Sequence, residues 1–516
     1  MVGFVTHERA PPTAPPVARL GRAGGPSTTD LSGVSHWYET SHANGSKSCV
    51  QVTGSTRKCT ARNLTLHFIK FPALEPRQAY TYQVRSGAAG AAWSQPYTFR
   101  APYGHGSGSG GSDVTRVAIY GDMGNVGGNN MGNLLADCAR GTIDAVVHMG
   151  DHAYNMGNGN DYHGDAYMQA FQGVLATCPW LPVIGNHEST MGEGKDRVDL
   201  STEQRYLNQT WGVIFGQDGA AIATSTARTT ATTSLGHLIT RGSFFGAASH
   251  GARPSRTSQW YSVDLGLIHF VMLDLNPGPP AVFAGAQAAW AASDLAAADA
   301  NRANVPWIVV TSHFPLYSAV FNEPGAWTAS AAWYDAEVAE SERTGDGTPW
   351  SATAHYEACA KGDADNATAC TTVRDVVDAQ RASLGQLLDL YHVDIYAAGH
   401  VHSYSTTWPI FGGAVANKSL VDPHGTVHVV EGNGGVPGSH RRSKIVNCTR
   451  SAPQEPPAPL DVFRICGQGM NYGRLVATNA SVLTYEHVNN ENGRVEDTWS
   501  IVRTSSSWSS RRTIYS

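Results

Sequence analysis

The sequence lacks three features that would each have pointed to a class of function. It has no block rich in lysine and arginine, and its 36 basic and 42 acidic residues give a formal net charge of −6, so charge gives no reason to expect nucleic-acid binding. It has no run of 18 apolar residues, which argues against a membrane-spanning helix. None of its eight cysteines forms a CxxC pair, which argues against a zinc ribbon.

The composition is that of a folded globular protein. Hydrophobic residues make up 41% of the 516 residues and charged residues 15%, which does not fit a disordered chain. The length suits two or three domains, each large enough to bury a core.

The cysteines and the glycosylation motifs indicate an oxidising compartment. The cysteine count is even and the cysteines fall as sequence neighbours, which suits disulfides, although spacing alone leaves their connectivity open. These neighbours are Cys49 and Cys59, Cys138 and Cys178, Cys359 and Cys370, and Cys448 and Cys466. Asn-x-Ser/Thr motifs, where N-linked glycans are expected, begin at Asn44, Asn63, Asn208, Asn366, Asn417, Asn447 and Asn479. We therefore expect a secreted, cell-surface or vacuolar protein, although the opening "MVGFVTHERAPP" lacks the basic and apolar regions of a signal peptide.

Changes in periodicity and composition along the chain predict two domains joined by a linker. Residues 1–103 show no helical periodicity, and "AYTYQVRSG" and "AWSQPYTFRAP" alternate as strands do, which predicts a small β-sandwich. The Gly/Ser-rich residues 104–112 form a flexible linker by composition. Residues 113–503 form the second predicted domain, and 504–516 a loose tail.

Short apolar runs alternate with helical patterns in the second domain, which predicts buried sheets packed by helices. The helix candidates are "NLLADCARG" and "TTVRDVVDAQRASLGQLLDLYH". Residues 218–258 and 335–370 read as surface insertions. The predicted strands are "VTRVAIY", "IDAVVHM", "WLPVI", "IHFVMLDL", "VPWIVVTS", "VDIYAA" and "TVHVVE".

Five apolar runs end in side chains that bind metals. Because ligands of open α/β sheets bind at the carboxyl ends of strands, these side chains can converge. They are Asp122; Asp151 and Tyr154; Asn186, His187 and Glu188; His313; and His400 and His402.

Each of these features alone has an ordinary structural explanation. An isolated Gly-Asp is usually a turn, and a lone histidine such as His313 is more often a hydrogen-bonded surface or core residue. His400 and His402 project to the same side of an extended chain, which suits two metal bonds. Five such strand ends in one chain predict a shared metal site rather than five coincidences.

The set GD…GDxxY…GNH[ED]…H…GHxH resembles the calcineurin-like metallophosphoesterases, and the tyrosine three residues after the second aspartate resembles the purple acid phosphatases. Residues 260–275 resemble the family's central β-strand pair, residues 432–438 its glycine-rich turn, and residues 472–503 its C-terminal strands. The N-terminal sandwich resembles the fibronectin-III-like domain of the large plant-type members. The resemblance implies an α+β fold in which a β-sandwich is flanked by helices.

The resemblance also implies a dinuclear centre. Fe(III) would be held by Asp122, Asp151, Tyr154 and His402, and a divalent Zn, Fe or Mn by Asp151, Asn186, His313 and His400. Asp151 would bridge the two ions. The residue types agree, because a phenolate and carboxylates suit a trivalent iron, whereas imidazoles and an amide suit a divalent ion.

Three further expectations follow from the family. His187 would contact the substrate phosphate. His355 is the nearest histidine downstream of His313 that could protonate the leaving group, since the intervening stretch "LYSAVFNEPGAW" contains none. His152 stands where the family usually has a nonpolar residue, and we expect it beside the ligands or exposed to solvent.

The sequence departs from the family at "HSYSTTWP", where members often read H-x-Y-E-R; this departure puts leaving-group specificity in doubt. The resemblance further implies a homodimer, since plant-type members often dimerise, although no interface is visible in the sequence.

The function expected first is an acid phosphatase that hydrolyses small phosphomonoesters by direct attack of a metal-bound hydroxide. The same centre would serve a phosphodiesterase or nucleotide pyrophosphatase, since the surrounding loops decide the substrate. A binding protein with a vestigial site is the third alternative, and the complete ligand set argues against it.

Overall fold

A computed structural model describes twelve parts of the chain, and the fold and the site are described for these residues. They are 2–8, 12–40, 62–102, 114–124, 131–153, 162–185, 260–275, 283, 285–317, 383–435, 444–446 and 462–504. The predicted linker, both predicted insertions and nearly all of the predicted tail lie outside them.

The N-terminal residues form two antiparallel sheets. The three-stranded sheet has the order β1-β5-β4 and the four-stranded sheet β3-β2-β6-β7. Side chains of β2 and β6 alternate between buried and half-buried positions, as expected for sheets with one face on a core. The strands are β1 (Val2–Thr6), β2 (Val17–Arg22), β3 (Thr28–Ser32), β4 (Val34–Thr40), β5 (Arg62–Ile69), β6 (Ala79–Arg85) and β7 (Tyr97–Arg100).

A six-stranded sheet carries the first two predicted metal-binding strand ends. Its order is β10-β9-β8-β21-β22-β23, with β8, β9 and β10 parallel to one another and β21 to β23 antiparallel. Its strands are β8 (Thr115–Tyr120), β9 (Ala145–Met149), β10 (Trp180–Val183), β21 (Asn471–Asn479), β22 (Val482–Asn489) and β23 (Val495–Val502).

An eight-stranded sheet carries the strand ends that precede His313, His400 and His402. Its order is β11-β12-β13-β14-β18-β15-β20-β19, and β12, β13, β14 and β18 run parallel. Its strands are β11 (Tyr261–Leu265), β12 (Ile268–Met272), β13 (Trp307–Ser312), β14 (Ile395–Ala398), β15 (Tyr404–Thr407), β18 (Val427–Glu431), β19 (Lys444–Val446) and β20 (Phe463–Gln468); the short strands β16 (Ile410–Phe411) and β17 (Ala414–Val415) pair separately.

Helices cover the outer faces of the two sheets. The helices are α1 (Met131–Arg140), α2 (Tyr162–Leu175), α3 (Gly285–Ala300) and α4 (383–390). Leu134 of α1 and Phe171 of α2 pack on the six-stranded sheet, whereas Leu295 of α3 and Leu388 of α4 pack on the eight-stranded sheet.

The main core lies between the two sheets. Val117 and Val147 of the six-stranded sheet meet Phe270 and Val309 of the eight-stranded sheet in one cluster. Strands that are buried on both faces carry mostly apolar side chains, which explains the short apolar runs of the sequence. The predicted sandwich flanked by helices is confirmed.

Three details refine the sequence predictions. The strand pair of residues 260–275 is a hairpin at the edge of the eight-stranded sheet, so the expectation of a central pair is wrong.

Cys138 and Cys178 form a disulfide, as their proximity in sequence suggested; Cys466 is also disulfide-bonded, and its predicted partner Cys448 lies outside the described residues. Within the described chain, no helix is long and apolar enough to cross a membrane.

Candidate metal centre

Five of the predicted ligands meet where strands of both sheets end. Asp122 and Asp151 follow β8 and β9 of the six-stranded sheet, and His313 follows β13 of the eight-stranded sheet. His400 and His402 follow β14 of that same sheet. The site is therefore built across the top of the sandwich, with its carboxylates on one sheet and its imidazoles on the other.

Asp122 and His402 form the first half of the centre. Nε2 of His402 lies 3.3 Å from Oδ1 of Asp122. The other carboxylate oxygen accepts a hydrogen bond from the backbone N–H of His400 at 2.6 Å. Asp122 is fully buried, whereas the His402 side chain is 16% exposed, so this half is open to solvent on the histidine side.

Asp151, His313 and His400 form the second half. Their ligand atoms all lie within 4.8 Å of one another. Nε2 of His313 is 3.3 Å from Oδ2 of Asp151 and 3.1 Å from Nδ1 of His400. Nδ1 of His313 donates to the backbone carbonyl of Met149 at 2.7 Å. That bond fixes the ring so that Nε2 faces the cluster.

The electrostatics of the site favour a cation. Burial raises the pKa of Asp122, and contact with His402 offsets part of the rise. Burial alone would lower the pKa of His313, but the charge of Asp151 and the hydrogen bonds to it outweigh burial and raise that pKa to about 10. Buried carboxylates beside imidazoles are stabilised by a positive charge, and a metal ion in contact with them would supply it.

The backbone at the site is held in a conformation that few side chains adopt. Asp122, Asp151 and His400 have φ values of 60°, 50° and 66°, and they are three of the six non-glycine residues with positive φ in the described part. Such residues concentrate at functional sites, where the surrounding structure holds the strain.

Gly150, which precedes Asp151, cannot carry a side chain. Its φ is 83°, and an added Cβ would lie 2.5 Å from Nδ1 of His313 and 2.7 Å from the Cα of Gly185. Glycine is needed here because the β9 turn passes directly against the His313 ring.

Four predicted site residues lie outside the described residues. They are Tyr154, Asn186, His187 and His355. Their roles remain predictions from the motif.

His152 is buried with no exposed surface, which excludes the solvent-exposed alternative and leaves the alternative that it lies beside the ligands. Its ring packs edge-on against His148 at 4.2 Å and against Trp180 at 5.4 Å. His148, which sequence reasoning did not single out, is held by a contact of 3.1 Å between its Nδ1 and the Tyr167 hydroxyl. Both histidines belong to the packing beneath the β9 turn.

Residues 402–409, which depart from the H-x-Y-E-R pattern, contact charged side chains of other strands. The Thr406 hydroxyl accepts a hydrogen bond from Nε of Arg464 on β20 at 3.1 Å. The same guanidinium pairs with Asp497 on β23, and Asp497 also accepts the Tyr404 hydroxyl at 2.7 Å. An arginine and an acidic residue are thus present near β15, although neither comes from β15 itself.

Comparison with known families agrees with this geometry. Residues 115–404 match the calcineurin-like phosphoesterase family, a span of more than half of the chain. The chain belongs to the calcineurin-like phosphoesterase family. Residues 425–498 also match the iron/zinc purple acid phosphatase-like protein C family, so the resemblance inferred from the motifs is confirmed.

Two of the relatives that match the chain are named for different activities. The chain is 26% identical to acid phosphatase type 7 of Mus musculus over 385 residues, 72% of this chain and 65% of the relative. It is 25% identical to a nucleotide pyrophosphatase/phosphodiesterase of Hordeum vulgare over 432 residues, 80% of this chain and 88% of the relative. The chain thus spans less than two thirds of the length of the mouse relative.

A solved structure shares the fold. A purple acid phosphatase from yellow lupin (Lupinus luteus) seeds superposes with a TM-score of 0.60 at 21% sequence identity, covering 95% of this chain and 70% of that chain. The likeness supports the α+β sandwich of this chain.

Proposed function

We propose that this phosphoesterase is an acid phosphatase that hydrolyses small phosphomonoesters at a dinuclear centre of Fe(III) and a divalent Zn, Fe or Mn. The observation that supports the proposal most is the meeting of Asp122, Asp151, His313, His400 and His402 at the ends of strands from both sheets. All five were proposed as ligands from the motif.

The residues present fit two metal ions. Asp122 and His402 face one another through Oδ1 and Nε2 and would hold the first ion. His313 and His400 approach through Nε2 and Nδ1 and would hold the second. Asp151 would be shared, and Tyr154 and Asn186 would complete the two sets.

Groups of the chain would hold the metal ligands in place and contact the substrate. Two metal ions would bind the phosphate oxygens and supply a hydroxide nucleophile at acidic pH. The Met149 carbonyl holds the His313 ring, and the His400 N–H holds the Asp122 carboxylate, so the ligands need little reorganisation. His187 would contact the phosphate, and His355 would protonate the leaving group.

The alternative function is a phosphodiesterase or nucleotide pyrophosphatase with the same centre. It is favoured by the name of the barley relative, of which the chain covers 88%.

We also propose that the protein resides in an oxidising compartment and has two domains. The Cys138–Cys178 disulfide and the exposed position of Asn479, which begins a glycosylation motif, support secretion or vacuolar targeting. The fibronectin-III-like domain of residues 1–103, the catalytic domain of residues 113–503, the glycans and the homodimer remain proposals.

Metal analysis paired with two substrates tests the function. We expect one iron and one divalent ion per chain, and faster hydrolysis of p-nitrophenyl phosphate than of its bis ester at about pH 5. His402→Gln should lower activity by more than about 100-fold, whereas His424→Gln, at an exposed position, should not. Preference for the diester would favour the alternative, and a chain that cannot be loaded with metal would exclude both.

A further inference from the structure

The geometry of the centre depends on how the two sheets sit against each other. Asp122 and Asp151 belong to the six-stranded sheet, and His313, His400 and His402 to the eight-stranded sheet. A small sliding of one sheet over the other would therefore change the spacing between carboxylates and imidazoles. Some contact near this end of the sandwich must hold the sheets in register.

The turn after β18 cradles the loop that carries Asp122. The Glu431 carbonyl accepts the Gly121 N–H at 2.8 Å, and the Gly434 N–H donates to the Gly121 carbonyl at 3.0 Å. A Cβ on Gly432 would lie 2.9 Å from Oδ2 of Asp122. The position of the β18 turn thus sets the position of the Asp122 carboxylate.

The Glu431 side chain crosses from one sheet to the other. It ends β18 of the eight-stranded sheet, and its Oε2 accepts the Tyr485 hydroxyl at 2.5 Å and Nδ1–H of His487 at 2.9 Å. Both partners lie on β22 of the six-stranded sheet. Tyr404, which is opposite Glu431 in the β15–β18 register, stacks on the His487 ring at 3.7 Å.

Stability alone does not explain this pair. Glu431 and His487 have no exposed surface, and the Glu431 Oε1 and the His487 Nε2 have no hydrogen-bond partner in the described part of the chain. Buried ion pairs with unsatisfied atoms stabilise a fold no better than apolar side chains of similar volume. The contact is better explained by the register that it imposes.

We propose that Glu431 is a positioning residue that locks the two sheets together beneath the metal centre through Tyr485 and His487. The proposal rests on the proposed dinuclear centre. With the lock intact, Asp122 stays at a fixed distance from His402. Without it, the first ion should be held more weakly.

The test compares two carboxylate-to-amide variants of the metal-loaded full chain. Glu431→Gln replaces the carboxylate of the lock by an amide. Asp294→Asn removes a carboxylate from a similar buried pair, since Asp294 accepts Nε2–H of His269 at 3.0 Å and the Ser262 hydroxyl at 2.7 Å. His269 lies opposite Ile308 in the β12–β13 register. Ile308 is five residues before His313, which is about 17 Å along the strand, so the control pair lies far from the metal centre.

The readouts are the rate of iron release to a chelator, the visible absorption band and the urea midpoint of each variant. We expect Glu431→Gln to release iron about 10- to 100-fold faster than wild type and to shift the band. Asp294→Asn should lower the urea midpoint and leave both metal readouts unchanged. Tyr485→Phe, which keeps the ring and removes one donor to Glu431, should accelerate iron release by a smaller factor.

Wild-type release rates in both Glu431→Gln and Tyr485→Phe would overturn the proposal. If Glu431→Gln does not fold, Tyr485→Phe decides alone. Equal acceleration in Asp294→Asn would also overturn it, because the effect would then follow stability rather than position. Failure of the wild-type chain to bind iron would instead contradict the proposed function.

Discussion

At the scale of single residues, the site is marked by backbone strain as well as by ligand chemistry. Asp122, Asp151 and His400 hold positive φ, which costs free energy that the surrounding packing must offset. The sequence predicted all three as ligands, since each follows an apolar strand and a glycine. It did not single out Glu431, because an acidic residue at a strand end does not show what lies across the sandwich.

Tyr154 is the residue whose spacing from Asp151 first indicated the purple acid phosphatases, and it remains a predicted ligand of Fe(III). We expect Tyr154→Phe to abolish the visible charge-transfer band of the iron-loaded protein, because phenylalanine has no phenolate to bind Fe(III). Far-ultraviolet circular dichroism of the same variant should match wild type. Retained colour would contradict Tyr154 as a ligand.

At the scale of elements, the strands that carry the site were the most predictable part of the fold. β8, β9, β13 and β14 are buried along nearly their whole length, so each reads as a mostly apolar run that stops shortly before its ligand. The place of the β11–β12 hairpin was not predictable in this way, because a central strand and a covered edge strand can have the same apolar pattern.

The Cys138–Cys178 disulfide links α1 to the chain that follows α2, closing a loop of 40 residues. Its removal in Cys138→Ser/Cys178→Ser should lower the free energy of unfolding by about 2–4 kcal/mol, since the unfolded chain gains freedom. Urea unfolding measures the loss. Metal content should be unchanged, because Cys138 lies near the end of α1 and Cys178 just before β10, at the end of the sheet opposite the strand ends that carry the ligands. An unchanged urea midpoint would show that the bond does not stabilise the fold.

At the scale of the whole molecule, buried charged side chains of opposite sign are paired inside the sandwich. At the end away from the centre, Asp394 pairs with Arg302 and Arg503, and these arginines lower its pKa despite burial. His269 lies buried between Asp264 and Asp294, at 2.6 and 3.0 Å. Charges of both signs are therefore neutralised inside the fold, where they would be costly alone.

The His269 cluster predicts a loss of stability at alkaline pH. Burial lowers the pKa of His269, but Asp264 and Asp294 outweigh burial and raise it from 6.5 to about 9. The proton thus stabilises the folded chain fully below pH 6.5, by about 3 kcal/mol, and this contribution is lost as pH rises through 9. Urea midpoints at pH 6 and 9.5 should differ more for wild type than for His269→Gln. Equal differences would contradict a charged His269.

The sequence by itself determined the strand ends and five of the ligands that the structure brings together, because an apolar run, a turn and a metal-binding side chain are neighbours in the chain. Only the tertiary structure decided which side chains meet across the sandwich. Glu431 and His487 are 56 positions apart, and His152 is buried because α2 and β10 cover it. Such contacts depend on how two sheets pack, and no local pattern of residues specifies that packing.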